Sequence, residues 1–436
     1  MKGLGRVLAQ IRPGAASERR ERAFANMVVA KLQASFKPAK VVLAGSFAKG
    51  TFLEGDKDID VFVLFRHSME KEAMEGIVRA AVENAFPGAF IQTAYAQHPY
   101  VRVFLDGRKI DVVPAYEIGH GRHFELRSAV DRTQLHTEYV LSKMSGAQKD
   151  EVRLLKKFLK SGNLYGAEIR TQGFSGYLCE LLILAYGDFE GAVKAAADWK
   201  ERTFLDIQHQ EPAESMLAKF NTPLIFLDPV DKERNVSAVV SLENYSAFIS
   251  LARRFLASKS KIGFFSKRAF GASELSKFVR RRQLYCISFE APNVVDDVLW
   301  GQVRRLQETL LSELRKSGFE ALGCEMDREG ESISLLFEIS NEPLPEKRVI
   351  LGPPLRFRKD CEKFSAQYAP AFVLSGRIAS LVKRECRTFP QFAKKLKKIP
   401  LPSHLRAARN AKIYKGQELI GKCRNALSRY AQRFLP

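Results

Sequence analysis

A chain of 436 residues, 46% hydrophobic and 27% charged, is too long for one hydrophobic core and too apolar to stay disordered, so several folded domains are expected. Its 70 Lys and Arg against 49 Asp and Glu give a net charge of +21, which points to a polyanionic partner. Membrane spanning is excluded as an expectation, because no stretch reaches the roughly 18 uninterrupted apolar residues that a crossing needs. The six cysteines stand singly, with no CxxC pair, and Gly5, Arg6, Gln10 and Arg12 interrupt the amino terminus before the apolar region of a secretory signal can form. Reduced thiols, no zinc site and a cytoplasmic location follow as expectations.

In chain order, Phe24, Met27, Val28 and Leu32 share a helical face over residues 17–36, with Ser17 in the N-cap position. Lys40 to Ala44 reads as a short strand that breaks at a Gly45-Ser46 turn, and Asp58 to Phe65 reads as a second strand. A helix over 68–86 precedes strands over 91–96 and 100–105. Asp106-Gly107 is the dipeptide of a tight hairpin, leading into Lys109-Ile110-Asp111-Val112-Val113. An α+β head over 1–142 is the sum.

From residue 143 to 262 the pattern turns helical, with Val152, Leu155 and Leu159 as one stripe and an all-apolar helix around Phe174 to Leu182. Beyond 263, a strand at 284–289, a helix at 294–315 and strands at 319–326 and 332–339 suggest an α+β body. Residues 390–436 hold twelve basic residues against the single acid Glu418, about half of the net charge. Phe389, Phe392, Tyr414, Tyr430 and Phe434 are interleaved with them, a composition suited to phosphate contact with base or ribose packing, although a solvated helix face has the same look.

Chemistry concentrates in Gly45-Ser46-Phe47-Ala48-Lys49-Gly50-Thr51 followed by Asp58-Ile59-Asp60. Residues two apart on a strand project the same way, so Asp58 and Asp60 share a face while Ile59 and Val61 turn to the core. Two like charges so placed repel unless a cation sits between them, and a divalent ion such as Mg²⁺ takes carboxylate and phosphate oxygens in one coordination sphere. Asp111, on the strand paired by the Asp106-Gly107 hairpin, is the natural third acid. Three carboxylates suffice for two metals, one activating a hydroxyl and one stabilising a leaving pyrophosphate. Gly45 permits close backbone approach, and Ser46 and Lys49 offer a hydroxyl and a charge to a triphosphate. Taken singly, an Asp-x-Asp is as well read as a solvated strand end; the combination is far more specific.

The segment GSFAKGTFLEGDKDIDVFVLF resembles the signature of the polymerase β-like nucleotidyltransferases, and most of all the archaeal, class I CCA-adding enzymes. SAVDRTQLHTEYV, EVRLLKKFLKSGNLYGAE, GFSGYLCELLI and DPVDKERNV resemble later segments of that family in the same order. The resemblance implies a mixed-sheet catalytic head, a helical neck, and an α+β body with a basic helical tail that binds tRNA. It implies Mg²⁺ on Asp58, Asp60 and Asp111, and CTP and ATP as substrates added to the tRNA 3′ end. Nucleotide contacts are implied for Gly45, Ser46, Lys49, Thr133, His136, Lys156 and Tyr165, with Arg234 reading the base.

Two positions depart from the family: Lys49 stands where Arg is usual, which loses the bidentate fork, and Asp58 stands where Glu is common. Without the resemblance, His136 and Tyr165 would be read as packing, and Lys156 and Arg234 as surface charges. Lys156, at the edge of the Val152 stripe, is placed where a long cation reaches a neighbouring cleft. A homodimer is compatible with the sequence. The rivals are an oligoadenylate synthetase, a poly(A) polymerase, and a silent RNA-binding protein; an unused acidic triad, which only costs repulsion, argues against the last.

Overall fold

A computed structural model describes residues 3–36, 39–66, 68–95, 99–119 and 130–433. The chain divides into two compact units, Met1–Arg268 and Ala269–Val294 with Leu299–Leu435, the segment Val295–Val298 counting with the first.

The first unit opens with α1 (Leu4–Ile11) and α2 (Ala15–Ser35). Ser17 is not the N-cap of α2, as expected from sequence; the helix starts behind Gly14, and Glu54 does the capping. Its carboxylate accepts from Gly14 N–H at 3.1 Å and from Ser17 Oγ at 2.8 Å, an anion placed at the positive end of the helix dipole. Then follow β1 (Lys40–Leu43), α3 (Gly45–Lys49), β2 (Asp58–Phe65), α4 (Lys71–Ala85), β3 (Phe90–Tyr95), β4 (Pro99–Leu105) and β5 (Arg108–Tyr116). The residue Ala96, expected to end β3, lies outside the described residues.

The five strands form a mixed sheet in the order β1-β2-β5-β4-β3, with β2 and β5 parallel and the other neighbours antiparallel. Asp106 and Gly107 both have positive φ, 48° and 68°, as the tight β4–β5 turn requires, and this sets Asp111 opposite Arg102. Alternation then sends Ile59, Val61, Val101, Val103, Ile110 and Val112 into a core with Val28 and Leu32 of α2 and Val78 and Val82 of α4. The intervening residues, Asp58, Asp60, Asp111 and Arg102 among them, occupy the other face.

The same unit continues through α5 (Arg132–Lys143), α6 (Gly146–Ser161), α7 (Gly176–Tyr186) and α8 (Phe189–Ala197). Next come β6 (Thr203–Leu205), α9 (Ala213–Lys219), β7 (Leu224–Asp228), β8 (Asp231–Asn235) and α10 (Leu242–Ala257). Phe158 anchors the helical core, its ring centroid 5.4 Å from that of Phe189 and 5.2 Å from that of Phe255. The purely helical expectation for this stretch is corrected by the small sheet β6-β7-β8. A buried five-residue run such as Leu224–Asp228 has no alternation to betray a strand. Its backbone is satisfied by side chains: Asn235 Oδ1 and Ser237 Oγ both accept from Phe226 N–H, at 3.0 and 3.1 Å.

The second unit holds α11 (Ala272–Arg280), β9 (Leu284–Glu290), α12 (Asp296–Ser317) from Leu299 onward, β10 (Ala321–Glu329), β11 (Ser332–Ile339), β12 (Lys347–Pro354), α13 (Arg358–Gln367), β13 (Ala371–Leu374) and β14 (Arg377–Lys383). It ends with α14 (Phe389–Ala393), β15 (Lys412–Lys415), α15 (Glu418–Lys422) and α16 (Arg424–Gln432). Its sheets run β10-β11-β9-β15 and β12-β14-β13. The tail is therefore not simply helical, since Lys412–Lys415 adds a strand beside β9. Nor are three of its five aromatic residues open to a ligand: Phe389, Phe392 and Tyr430 are buried. Apolar residues at regular spacing fill a core first. Tyr414 is half-buried, and Phe434 lies outside the described residues. The cations Lys394, Lys397, Lys398, Arg406, Arg409, Lys412, Lys415 and Lys422 remain exposed, whereas Arg429 and Arg433 are bound to Glu325.

Candidate active site

Gly45–Lys49, expected as an open turn, is a short helix, entered at Gly45 with φ 61° and left at Gly50 with φ 69°. Only glycine fits at 45, because a Cβ there would stand 1.9 Å from Asp60 Oδ2. Ala44 N–H donates to the Asp60 carbonyl at 2.9 Å, so the start of this helix is fastened to the strand that carries the acids. Ser46, in its first turn, is half-exposed.

The parallel pairing of β2 and β5 puts Asp60 directly opposite Asp111, with Asp58 on the same face of β2. Asp58 is exposed and meets Lys109 Nζ at 3.2 Å. Asp111 accepts a guanidinium fork, from Arg102 Nε at 2.8 Å and Nη2 at 3.0 Å, and Nη2 also donates to Tyr100 Oη at 2.7 Å. Burial first, and then the neighbouring Asp111 charge, raise the Asp60 carboxyl to about 6.

Among the described residues, no three acid, histidine or cysteine side chains are drawn together as a formed metal site. The composition nevertheless fits a hard divalent cation. Three carboxylates lie on adjacent strands, and the Asp60 carboxyl, raised first by burial and then by the Asp111 charge, stands where a cation would relieve that second effect.

A second cluster lies on α6 and α7. The Lys49 ammonium is buried in an ion pair with Glu180, 5.4 Å from the centroid of the Tyr177 ring. Thr51 Oγ1 donates to Glu180 Oε1 at 2.7 Å. Lys156 does not sit at a cleft edge, as the helical stripe suggested. It is buried, its Nζ donates to Thr51 O and Oγ1 at 3.1 Å each, and burial lowers its pKa. Arg153 adds donations to Phe52 O at 2.9 Å and Gly50 O at 2.6 Å. The loop that follows α3 is thus stapled to the helical part of the unit. Tyr165 is half-buried, with Lys160 Nζ 5.2 Å from its ring centroid, and burial raises its hydroxyl pKa well above the ordinary value.

The third cluster gathers on Asp228, at the end of β7. His136 Nε2 lies 2.8 Å from Asp228 Oδ2, Arg234 Nη1 donates to the same oxygen at 2.6 Å, and Tyr177 Oη donates to Oδ1 at 3.2 Å. His136 stacks on Tyr177 with centroids 4.0 Å apart. Burial, stronger than the pull of Asp228, lowers the His136 pKa. Burial alone would raise Asp228, but donations from His136 and Arg234 outweigh it and hold the carboxyl below its ordinary range. Thr133 is half-exposed in the first turn of α5, whose start is tied to β5 by Asp131 Oδ1 accepting from Tyr116 N–H at 2.9 Å.

Apart from Thr133 and Tyr165, the expected site residues therefore fall into three groups: Gly45, Ser46 and the carboxylates; Lys49 and Lys156 on Glu180; His136 and Arg234 on Asp228. Lys49 links them, its charge acting on both Asp60 and His136. Sequence reasoning missed Arg102 and Glu180. For Arg102 the signal was the hairpin register, and for Glu180 it was an acid inside an apolar helix, which needs a cationic partner.

Comparison with known proteins finds three family matches in order along the chain. A nucleotidyltransferase domain matches residues 26–136, the second domain of tRNA nucleotidyltransferase 150–266, and the C-terminal domain of CCA-adding enzyme 280–409. The CCA-adding enzyme of Methanoregula boonei is 35% identical over 86% of this chain and 82% of its own. That of Methanocaldococcus jannaschii is 35% identical over 88% and 87%, and that of Methanothermobacter thermautotrophicus 33% identical over 91% and 89%. A solved structure of the Cid1 poly(U) polymerase with MgGTP bound is similar over 61% of this chain and 97% of that one, with 15% identity and a TM-score of 0.49.

Proposed function

The chain belongs to the CCA-adding enzyme family, and from that premise we propose that it adds C, C and A, without a nucleic-acid template, to the 3′ end of tRNA. CTP, twice, and then ATP are the donors, and pyrophosphate leaves at each step. The observation that carries the reading is the register of β2 and β5, which sets Asp60 against Asp111 with Asp58 on the same face, beside the Gly45–Lys49 helix.

Enzymes of this fold generally use divalent metals; here Asp58, Asp60 and Asp111 would hold Mg²⁺, which supplies activation of the attacking 3′-hydroxyl and neutralisation of the leaving pyrophosphate. The chain's own residues supply position and charge. Ser46 offers a hydroxyl beside the carboxylates, and Gly45 lets the backbone come close to the phosphates. Lys49 and Lys156, fixed by Glu180, and Thr133, His136 and Tyr165 complete the triphosphate contacts. Arg234, oriented by Asp228, presents its fork to the base and favours C and A over U and G. The exposed cations of the tail take up the tRNA phosphates.

Among the described residues no helix is long and apolar enough to cross a membrane, and the reading places tRNA maturation in the cytoplasm. Assembly as a homodimer belongs to the same reading and is measured by sedimentation velocity. The test of the division of labour is to change Asp60→Ala and Asp111→Ala separately. Transfer should fall below detection while tRNA affinity, measured by filter binding, stays within about threefold, because the binding charge lies elsewhere. Loss of tRNA binding in either variant contradicts it.

A further inference from the structure

Each outer carboxylate of the open sheet face stands opposite a cation on the next strand. Asp60 pairs with Asp111 and Asp111 with Arg102, a row crossing β2, β5 and β4; one step along, Asp58 pairs with Lys109. The two pairs differ in quality. Lys109 makes one 3.2 Å contact with an Asp58 side chain that is 70% exposed, which solvent screens. Arg102 engages both oxygens of Asp111, both side chains are mostly buried, and the fork is steadied by Tyr100 Oη. That geometry is the strong, orienting kind.

Counted together, three carboxylates face two cations. Among the described residues Asp60 alone of the three has no ion-pair partner, so the residual negative charge falls between the acids, where a metal would be wanted. The guanidinium already performs at Asp111 part of what a metal performs: it neutralises the carboxylate and fixes its plane. A divalent cation that takes Asp111 as a ligand has to share its oxygens with this fork or open it.

We propose that Arg102 is a built-in counter-ion of the metal site, a positioning residue that presets Asp111 and competes with the divalent cation for it. The inference rests on the reading of Asp58, Asp60 and Asp111 as metal ligands. Its consequence is weak metal binding by the nucleotide-free protein, and firm binding once a triphosphate brings further oxygen ligands and negative charge. Arg102 thereby couples metal capture to nucleotide arrival.

The experiment uses the full-length, metal-stripped protein without nucleotide, with Mn²⁺ as the probe and free Mn²⁺ read by electron paramagnetic resonance. Arg102→Gln removes the competing charge and should tighten Mn²⁺ binding on the order of tenfold. Arg102→Lys keeps a charge but loses the fork and should tighten it by about threefold. Circular dichroism establishes folding; if the Gln variant does not fold, the Lys variant alone decides. Unchanged or weaker Mn²⁺ binding in the folded variants overturns the proposal and leaves Arg102 as a packing residue. Asp60→Asn and Asp111→Asn separate the two levels of the argument. If they bind Mn²⁺ as the unaltered protein does, the carboxylate reading itself fails; if they lose it while the Arg102 variants do nothing, only the counter-ion fails.

Discussion

Asp60→Asn should make the protein more stable while abolishing transfer. The Asp60 carboxyl is raised from 3.8 to about 6 by burial and by Asp111, so in the folded, metal-free protein the carboxylate that prevails at neutral pH carries an ionisation penalty. A rise of about two units corresponds to a ceiling of about 3 kcal/mol, at about 1.4 kcal/mol per unit. Water reaches this half-buried group, which reduces the expected gain to about 1–2 kcal/mol. The sign follows from linkage. A folded pKa above the unfolded one means that the folded state binds the extra proton, so the penalty is fully present above about 6 and fades as pH falls towards 3.8. The isosteric Asn carries no penalty at any pH. Thermal unfolding followed by circular dichroism without metal should therefore show the variant melting a few degrees higher at pH 7.5, about 2–4 °C per kcal/mol for a domain of this size. The gap should shrink to about a third by pH 4.5 and close only below 3.8, and added Mg²⁺ should narrow it at pH 7.5 by stabilising only the unaltered protein. A variant no more stable at pH 7.5, or a gap that does not change with pH, refutes the electrostatic argument.

Three further outcomes follow from the other clusters. Glu180→Ala leaves the ammonium groups of Lys49 and Lys156 buried without their acid and should cost about 3–5 kcal/mol in urea unfolding; a loss below about 1 kcal/mol would show that water or another group replaces it. Asp228→Asn loosens Arg234 and His136, removing charged hydrogen bonds of about 1.5–3 kcal/mol, and should raise KM for CTP and ATP by tenfold or more with a smaller change in kcat. Equal KM values would detach Asp228 from nucleotide binding. Replacing both Lys398 and Arg409 by Glu should weaken tRNA binding and lower the slope of log affinity against log salt by about one unit or more, with kcat at saturating tRNA retained. An unchanged slope would move the RNA contact away from the tail.

The carboxylate geometry was legible because it is local. Strand alternation aligned Asp58 with Asp60, and the Asp106-Gly107 turn fixed the register of β5. The partner of β2 was harder, yet an apolar strand carrying one acid has few places to go in a small sheet. What escaped depends on contacts distant in sequence. Lys49 and Lys156 were legible as cations of the site but their shared acid was not: both converge on Glu180, and the Lys49 contact spans 131 positions. No spacing rule connects an α3 lysine to an α7 glutamate. Arg102 was recoverable in principle, since the same hairpin that places Asp111 places Arg102 across from it. Phe389, Phe392 and Tyr430 of the tail were misassigned because a stripe that fills a core and a stripe that stacks on bases have the same period, and only packing against the sheet tells them apart. The small sheet of β6, β7 and β8 was hidden by its short strands and uninterrupted apolar run.

The central claim is the product itself. Purified protein, tRNA lacking its 3′ terminus, Mg²⁺ and nucleotides supplied singly or together would be resolved at single-nucleotide length. Addition of two residues with CTP alone, and of a third and no more once ATP is present, is the predicted result. A long ladder with ATP, products formed without tRNA, or tight tRNA binding with no extension at all would contradict it.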